Sequence, residues 1–403
     1  MTIPNPKPVL DLIEAFRHSK TMFTAEALGI FDRLHERPAT AAELAEELKL
    51  HSGALERLLD GCAALGLLAK ENGVYRNQPV AENYLYSGSP QTLSGYVRYS
   101  DEALFRMWSN LGDAMREGTP RWKQTFGIDG AIFGGFYRTE EAMRNFLRGM
   151  HGFGMLTSPA VVAAFDLSRF RRLADLGGGT GHLAIAACQR YPELRSVVFD
   201  LPAVTALARE NIVRSGLQDR VSTQDGDFFK DELPEADLYA VGRILHDWSD
   251  EKAAVLLRAV FQRLPSGGAL LIAEKHLNED GVGPLAVNMQ SLNMLVVTEG
   301  RERTLGQFAQ MLRAAGFSDV EGKRTGVASV SYTHLDVYKR QPQGGESKHA
   351  PRRPWRGSLS TQDPPARSSP SVTLQVHNGS GMESSDPRLT SCRTVAMRCS
   401  SGE

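Results

Sequence analysis

The sequence predicts an α/β fold: a mostly parallel, Rossmann-like sheet preceded by an all-helical front domain of winged-helix type, with a disordered C-terminal tail. Three observations point there. From Arg171 onward short apolar runs alternate with helical segments. Ahead of that, apolar residues recur at helical spacing with a single hairpin signal. Beyond Gln341 the periodic pattern ends, and 25 of the 63 residues from 341 to 403 are Pro, Ser or Gly, too little apolar content to offset ordering entropy. The implied boundaries are 1–115 for the front domain, 116–170 for connecting helices, 171–327 for the sheet domain and 328–403 for the tail.

In the front domain, Leu10, Ile13 and Phe16, then Phe23, Ala27 and Ile30, mark one face of helical segments over 8–34. Thr40 and Glu43 form a T-x-x-E capping box, in which each side chain satisfies an orphan backbone donor of the other, so a helix starts there. The next helix carries Leu55, Leu58, Leu59, Cys62 and Leu65 on one face. Asn72-Gly73 between two short extended runs predicts a hairpin. Helix, turn, helix and hairpin together make a winged helix. Between Thr40 and Leu68, however, five acidic residues accompany only Lys49 and Arg57. A helix that entered a major groove would need the opposite balance, so the domain is read as a dimerisation or substrate-lid module.

The composition of the whole chain agrees. Forty-six Lys and Arg against 47 Asp and Glu give a net charge of −1, which offers no global field for nucleic acid or an anionic membrane. No apolar run reaches the roughly 18 to 20 residues of a membrane span. The opening MTIPNPKPVLDLIEAF has no charged stretch followed by an apolar one, so a cytoplasmic location is expected. Cys62 and Cys188 are far apart in apolar surroundings and Cys392 and Cys399 fall in the tail, so neither a disulfide nor a metal site is expected.

In the back half, 173–176, 197–199, 238–241 and 270–273 are short apolar runs separated by helical segments, the pattern of a parallel sheet covered on both faces. Ligands in such sheets sit beyond the carboxyl ends of the strands. There the sequence reads Asp175-Leu176-Gly177-Gly178-Gly179-Thr180-Gly181, then Asp200 at the end of VVFD, then Gly226-Asp227-Phe228. The glycines allow a tight turn and close approach of a ligand. A dinucleotide would suit the loop too. An acidic Asp175 beside the glycines is unhelpful to a pyrophosphate but suits the cationic amino-acid end of S-adenosylmethionine. Asp200 can accept from ribose hydroxyls, and Asp227 with Phe228 can hold and stack an adenine. Single carboxylates in such loops otherwise serve as caps.

After 238–241 comes Gly242-Arg243-Ile244-Leu245-His246-Asp247-Trp248. His246, at a strand end on the ligand side, is placed to take a proton from a substrate hydroxyl. Arg243 is a candidate partner for a cofactor carboxylate and Asp247 for a polar group of the substrate. Glu274, ending LLIAE, and Glu302, in TEGRERT, are candidates to orient the base. A phenol near pKa 10 facing a histidine near 6.5 is uphill by roughly 5 kcal/mol, so proton loss should accompany methyl transfer.

With DLGGGTG, VFDLP, GDFF, RILHDWSDE, AEKHL, SLNML and TEGRERT in this order, the chain resembles the acetylserotonin O-methyltransferase family, most of all its acetylserotonin O-methyltransferase-like branch, over its methyltransferase part. The resemblance runs from about residue 6 to 326. It implies a class I S-adenosylmethionine-dependent methyltransferase sheet and a homodimer formed through the N-terminal domain. It implies His246 as base and Asp200, Gly226-Asp227-Phe228, Arg243 and Tyr137 as cofactor contacts. Asp247 and Asn293 would contact a small aromatic, hydroxyindole-like acceptor. A catalytically inactive, cofactor-binding or partner-binding dimer is the alternative. The family's indole-binding glutamine is Val297 here, and its tryptophan near the cofactor is Gly154. After Thr325-Gly326 the sequence VASVSYTHLDVYKRQ does not match the family, so the sheet is expected to lack its final strand and to expose an unpaired edge.

Overall fold

The computed structural model describes residues 3–130, 132–325 and 333–339. Helix α1 (Lys7–Ala27) and helix α2 (Ile30–Glu36) fill the first apolar segment. After β1 (Ala39–Thr40), helix α3 (Ala41–Leu48) begins on the expected box: the Glu43 N–H donates to Thr40 Oγ1 at 3.3 Å and the Thr40 N–H to Glu43 Oε2 at 2.7 Å. Helix α4 (Ser52–Ala64) precedes the hairpin of β2 (Leu68–Glu71) and β3 (Val74–Asn77), with both turn residues, Asn72 and Gly73, at positive φ. Strand β3 pairs with β1 as well, so this small sheet has three strands. Ile30, Phe31, Leu44, Leu59 and Tyr75 share the core beneath it. The outer face of α1 has no cover among the described residues, with Leu12 77% and Phe16 54% exposed.

Helices α5 (Pro79–Tyr84) and α6 (Ser94–Tyr99) are followed by the short helices α7 (Phe105–Trp108), α8 (Leu111–Glu117), α9 (Trp122–Phe126) and α10 (Ile132–Phe136). They lead into the long α11 (Glu140–Ala164), which starts on a Thr139 cap donated to by the Ala142 N–H at 3.0 Å. Helix α11 lies directly on α6. A Cβ at Gly149 would stand 2.8 Å from the Tyr96 Cα, so the two backbones touch where glycine leaves room.

The large sheet has a parallel centre in the order β6-β5-β4-β7-β8, from β4 (Arg172–Leu176), β5 (Arg195–Asp200), β6 (Val221–Asp225), β7 (Leu238–Gly242) and β8 (Ala269–Leu277). Helices α12 (His182–Arg190), α13 (Pro202–Arg214), α14 (Asp250–Arg263), α15 (Leu285–Val297) and α16 (Leu305–Ala315) connect and cover it, and β9 (Arg303–Thr304) adds a short pairing to β8. Alternate strand residues go to two cores: Leu176, Val241 and Ile272 to one, Leu173, Ala240 and Leu271 to the other. That explains why these strands read as continuous apolar runs. Strand order reverses beside β4, and a crevice opens at the carboxyl ends there. No described helix is long and apolar enough to cross a membrane.

The expectation of an open final edge is corrected. Strand β10 (Asp319–Arg324) and strand β11 (Thr333–Lys339) close the sheet, β11 running antiparallel between β10 and β8. The expected tail from 328 therefore contains a strand. Its period-2 run places Leu335 and Val337 at register positions opposite Ala273 and Leu271. Pairing at an open edge requires that alternation and free backbone groups, not a family motif. The rest of the expected tail, 328–332 and 340–403, lies outside the described residues.

Candidate active site

The carboxyl ends of the central strands converge on a cavity of about 370 Å³. One side is built from the glycine loop after β4. Gly177 and Gly179 hold φ of 65° and 58°, which side chains resist. The Gly177 N–H donates to the Phe199 carbonyl at 2.8 Å, and the Gly179 N–H to Asp200 Oδ2 at 2.8 Å. The Leu201 N–H donates to Asp200 Oδ1 at 2.7 Å, so this carboxylate is fixed on the cavity wall at the end of β5. Burial pushes it up to about 6, and the N–H bonds from Gly179 and Leu201 work against that rise.

Gly226, Asp227 and Phe228 line the same wall, as does Tyr137, whose phenol burial pushes well up with Asp200 and Asp247 adding to the effect. Asp227 also closes its own loop, accepting from the Phe229 N–H at 2.9 Å and pairing with Lys230 at 2.8 Å. Asp175 is not on the cavity wall. The structure places it beneath the glycine loop, where it accepts from the Ala184 N–H in the first turn of α12. Its Oδ2 has no partner among the described residues, and burial pushes the group up to about 7.

On the other side, β7 is followed by Arg243, a non-glycine residue at φ 59°, and a tight turn over Leu245–Asp247 presents His246 to the cavity. His246 Nδ1 lies 2.8 Å from Glu302 Oε1 and 3.5 Å from Glu274 Oε2. The other Glu274 oxygen accepts from the Ile244 and Leu245 N–H groups at 2.8 and 2.7 Å, tying the turn to β8. A proton on Nδ1 donated to Glu302 leaves the lone pair on Nε2, which lies 3.6 Å from Asp247 Oδ1. Burial alone would lower the imidazole, but Glu274, Glu302 and Asp247 raise it to about 9. Asp247 is itself pushed up to about 7 by burial, against the attraction of His246. The three residues predicted as a catalytic group thus meet, with both glutamates behind the ring and only His246 on the wall.

Several residues that shape the site were missed from the sequence. Arg303, fully buried, donates through Nη1 to the Leu245 carbonyl at 2.7 Å and through Nη2 to the Trp248 carbonyl at 2.9 Å, and pairs with Asp250 at 2.7 Å. It fastens the Leu245–Asp247 turn from behind. Tyr96 and Tyr99 of α6 line the cavity, so the front of the chain contributes to its wall. His182 lies against Gly154, where a Cβ would come within 2.2 Å of its Cγ. The ring bonds Ser158 Oγ through Nδ1 at 2.8 Å, and burial pushes it down to about 3, which keeps it neutral. Lys275 lines the wall next to Glu274 in sequence. Asn293, predicted as a substrate contact, accepts from Trp108 Nε1 at 2.9 Å, which leaves its amide donors for a ligand, and Val297 is a cavity neighbour. Tyr96, Tyr99 and His182 lie in no motif, and Lys275 and Arg303, though inside AEKHL and TEGRERT, are brought to the site by strand pairing and alternation that the motifs do not reveal.

Comparison with known proteins agrees with this architecture. Residues 108–318 match the model of an O-methyltransferase domain and residues 10–87 that of an O-methyltransferase dimerisation domain. Acetylserotonin O-methyltransferase of Gallus gallus is 40% identical over 328 residues, covering 80% of this chain and 94% of its own. The Homo sapiens probable bifunctional dTTP/UTP pyrophosphatase/methyltransferase protein is 39% identical over 321 residues, covering 79% of this chain and 52% of its own. Among solved structures, human N-acetylserotonin methyltransferase in complex with SAM superposes with a TM-score of 0.79 at 35% identity, covering 85% of this chain and 99% of that one.

Proposed function

Since the chain belongs to the O-methyltransferase family and is an S-adenosylmethionine-dependent O-methyltransferase, we propose that its acceptor is the hydroxyl of a small aromatic, hydroxyindole-like molecule and that His246 is the base. The cofactor, when bound, supplies an electrophilic methyl group. The glycine loop, Asp200, Gly226-Asp227-Phe228, Arg243 and Tyr137 are the residues to hold it. They fit because a loop of positive-φ glycines, a fixed carboxylate and an aromatic ring share one wall.

The carrying observation is the 2.8 Å contact of His246 Nδ1 with Glu302, which leaves Nε2 to accept the acceptor's proton. With His246 raised to about 9, the imidazole comes much closer to a phenol near 10 than an ordinary histidine does, so the proton transfer is far less uphill. Asp247 and Asn293 are the acceptor's polar contacts, and Tyr96, Tyr99 and Phe153 give its ring an aromatic enclosure. Relatives named for acetylserotonin support a hydroxyindole, held here without a glutamine at Val297. The inactive-dimer alternative is not favoured, because the base and both carboxylates behind it are intact.

The dimerisation-domain match and the uncovered apolar face of α1 support a homodimer formed through the front domain, whose helix–turn–helix and hairpin then serve pairing and not DNA. A cytoplasmic location belongs to the same reading, supported by Cys62 and Cys188 as buried free thiols. Calorimetric titration with S-adenosylhomocysteine, combined with methyl transfer to hydroxyindoles, tests it. His246→Ala is expected to remove turnover, by roughly a hundredfold or more, and to keep cofactor affinity. Turnover retained in that variant would reject His246 as the base.

A further inference from the structure

Two cations line the cavity, Lys275 and Arg243, with no carboxylate in salt-bridge contact among the described residues. Successive side chains of a strand go to opposite faces, and the end of β8 shows the consequence. Glu274 goes to the face of His246, 3.5 Å from its Nδ1. Lys275 therefore goes to the other face, where Leu271 and Ala273 pack among residues of α11 and α12, and there it lines the cavity. Arg243 arrives on that side from the end of β7. Its N–H donates to the Ala273 carbonyl at 3.0 Å, and its guanidinium lies 5.2 Å from the ring centre of Phe153 on α11.

Among the described residues neither cation forms an ion pair. The nearby carboxylates Glu274, Glu302 and Asp247 are turned to His246. A half-buried cation without a close anion is costly, and Lys275 responds: burial, with Arg243 adding to it and Glu302 and Glu274 working against it, pushes its ammonium down to about 8. The backbone of Arg243 at φ 59° is a strained conformation of the kind held at binding sites. A guanidinium offers a planar fork and an ammonium a compact third donor set, together a complement to one carboxylate.

We propose that Lys275 and Arg243 together form a carboxylate-binding site inside the cavity. The carboxylate comes either from the amino-acid end of the cofactor or from an acid group on the acceptor. The inference rests on the methyltransferase reading of the cavity and extends it to Lys275, a residue outside the cofactor set named above.

Calorimetric titration of the full chain, Lys275→Met and Lys275→Arg with S-adenosylhomocysteine and with methylthioadenosine, which keeps the nucleoside but lacks the carboxylate, tests it. With the cofactor as the source, Lys275→Met weakens S-adenosylhomocysteine by roughly tenfold to a hundredfold and leaves methylthioadenosine within about twofold, while Lys275→Arg restores most of the loss. With the acceptor as the source, both nucleosides bind Lys275→Met normally, and KM for hydroxyaryl acids rises by that factor relative to their carboxamides. Unchanged S-adenosylhomocysteine affinity together with an unchanged acid-to-amide ratio of KM overturns the proposal. An unsubstituted chain that binds neither nucleoside removes the methyltransferase reading and this inference with it.

Discussion

Three carboxylates around one buried imidazole set the pH at which His246 can accept a proton. Burial opposes its charge, but Glu274, Glu302 and Asp247 outweigh burial and raise it to about 9. The folded-state value exceeds the ordinary one of about 6.5, so this stabilisation is full below that pH and is lost as pH rises through about 9. For the same reason kcat/KM of the free enzyme should climb through the neutral range with its limb near 9. Glu302→Gln keeps an acceptor for Nδ1–H and removes the charge, so the limb should move to lower pH by roughly 1 unit, as a pH–rate profile would read. A limb that stays in place would mean Glu302 does not set the charge on the base. His246, Glu274 and Glu302 were legible because each sits at a strand end or in a motif with its own chemistry. Arg303 was not, although it lies in TEGRERT, because only the pairing of β9 with β8 turns it toward the Leu245 and Trp248 carbonyls.

At the scale of elements, α11 is the helix whose neighbours the sequence left obscure. Gly154 packs against the His182 ring of α12, which leaves no room for a side chain there. Gly154→Ala must push that ring aside and strain its bond to Ser158, at a cost of about 1–3 kcal/mol by chemical denaturation. The double variant Gly154→Ala with His182→Ala should recover most of that loss, and failure to recover would show that the ring is not the obstacle. Strands β4, β5, β7 and β8 were readable as apolar runs because both sheet faces are covered. The last strand was not, since comparison of residues after Gly326 with a family motif overlooks that alternation at Leu335 and Val337 suffices to pair with β8.

For the whole molecule, the near-neutral charge and the exposed apolar face of α1 are consistent with self-association through the front domain. Leu12→Glu with Phe16→Glu should raise the dimer dissociation constant by roughly a hundredfold or more while the melting temperature of the subunit is kept, which analytical ultracentrifugation and calorimetry would report. A dimer of unchanged affinity would place the interface elsewhere. The contact of α6 with α11 gives this architecture a further consequence. Gly149 meets the Tyr96 backbone, and Tyr96 and Tyr99 of that same helix line the cavity. The front domain is therefore not an interchangeable module: a chimaera that took its first hundred residues from a relative would exchange part of the cavity's lining along with its pairing surface.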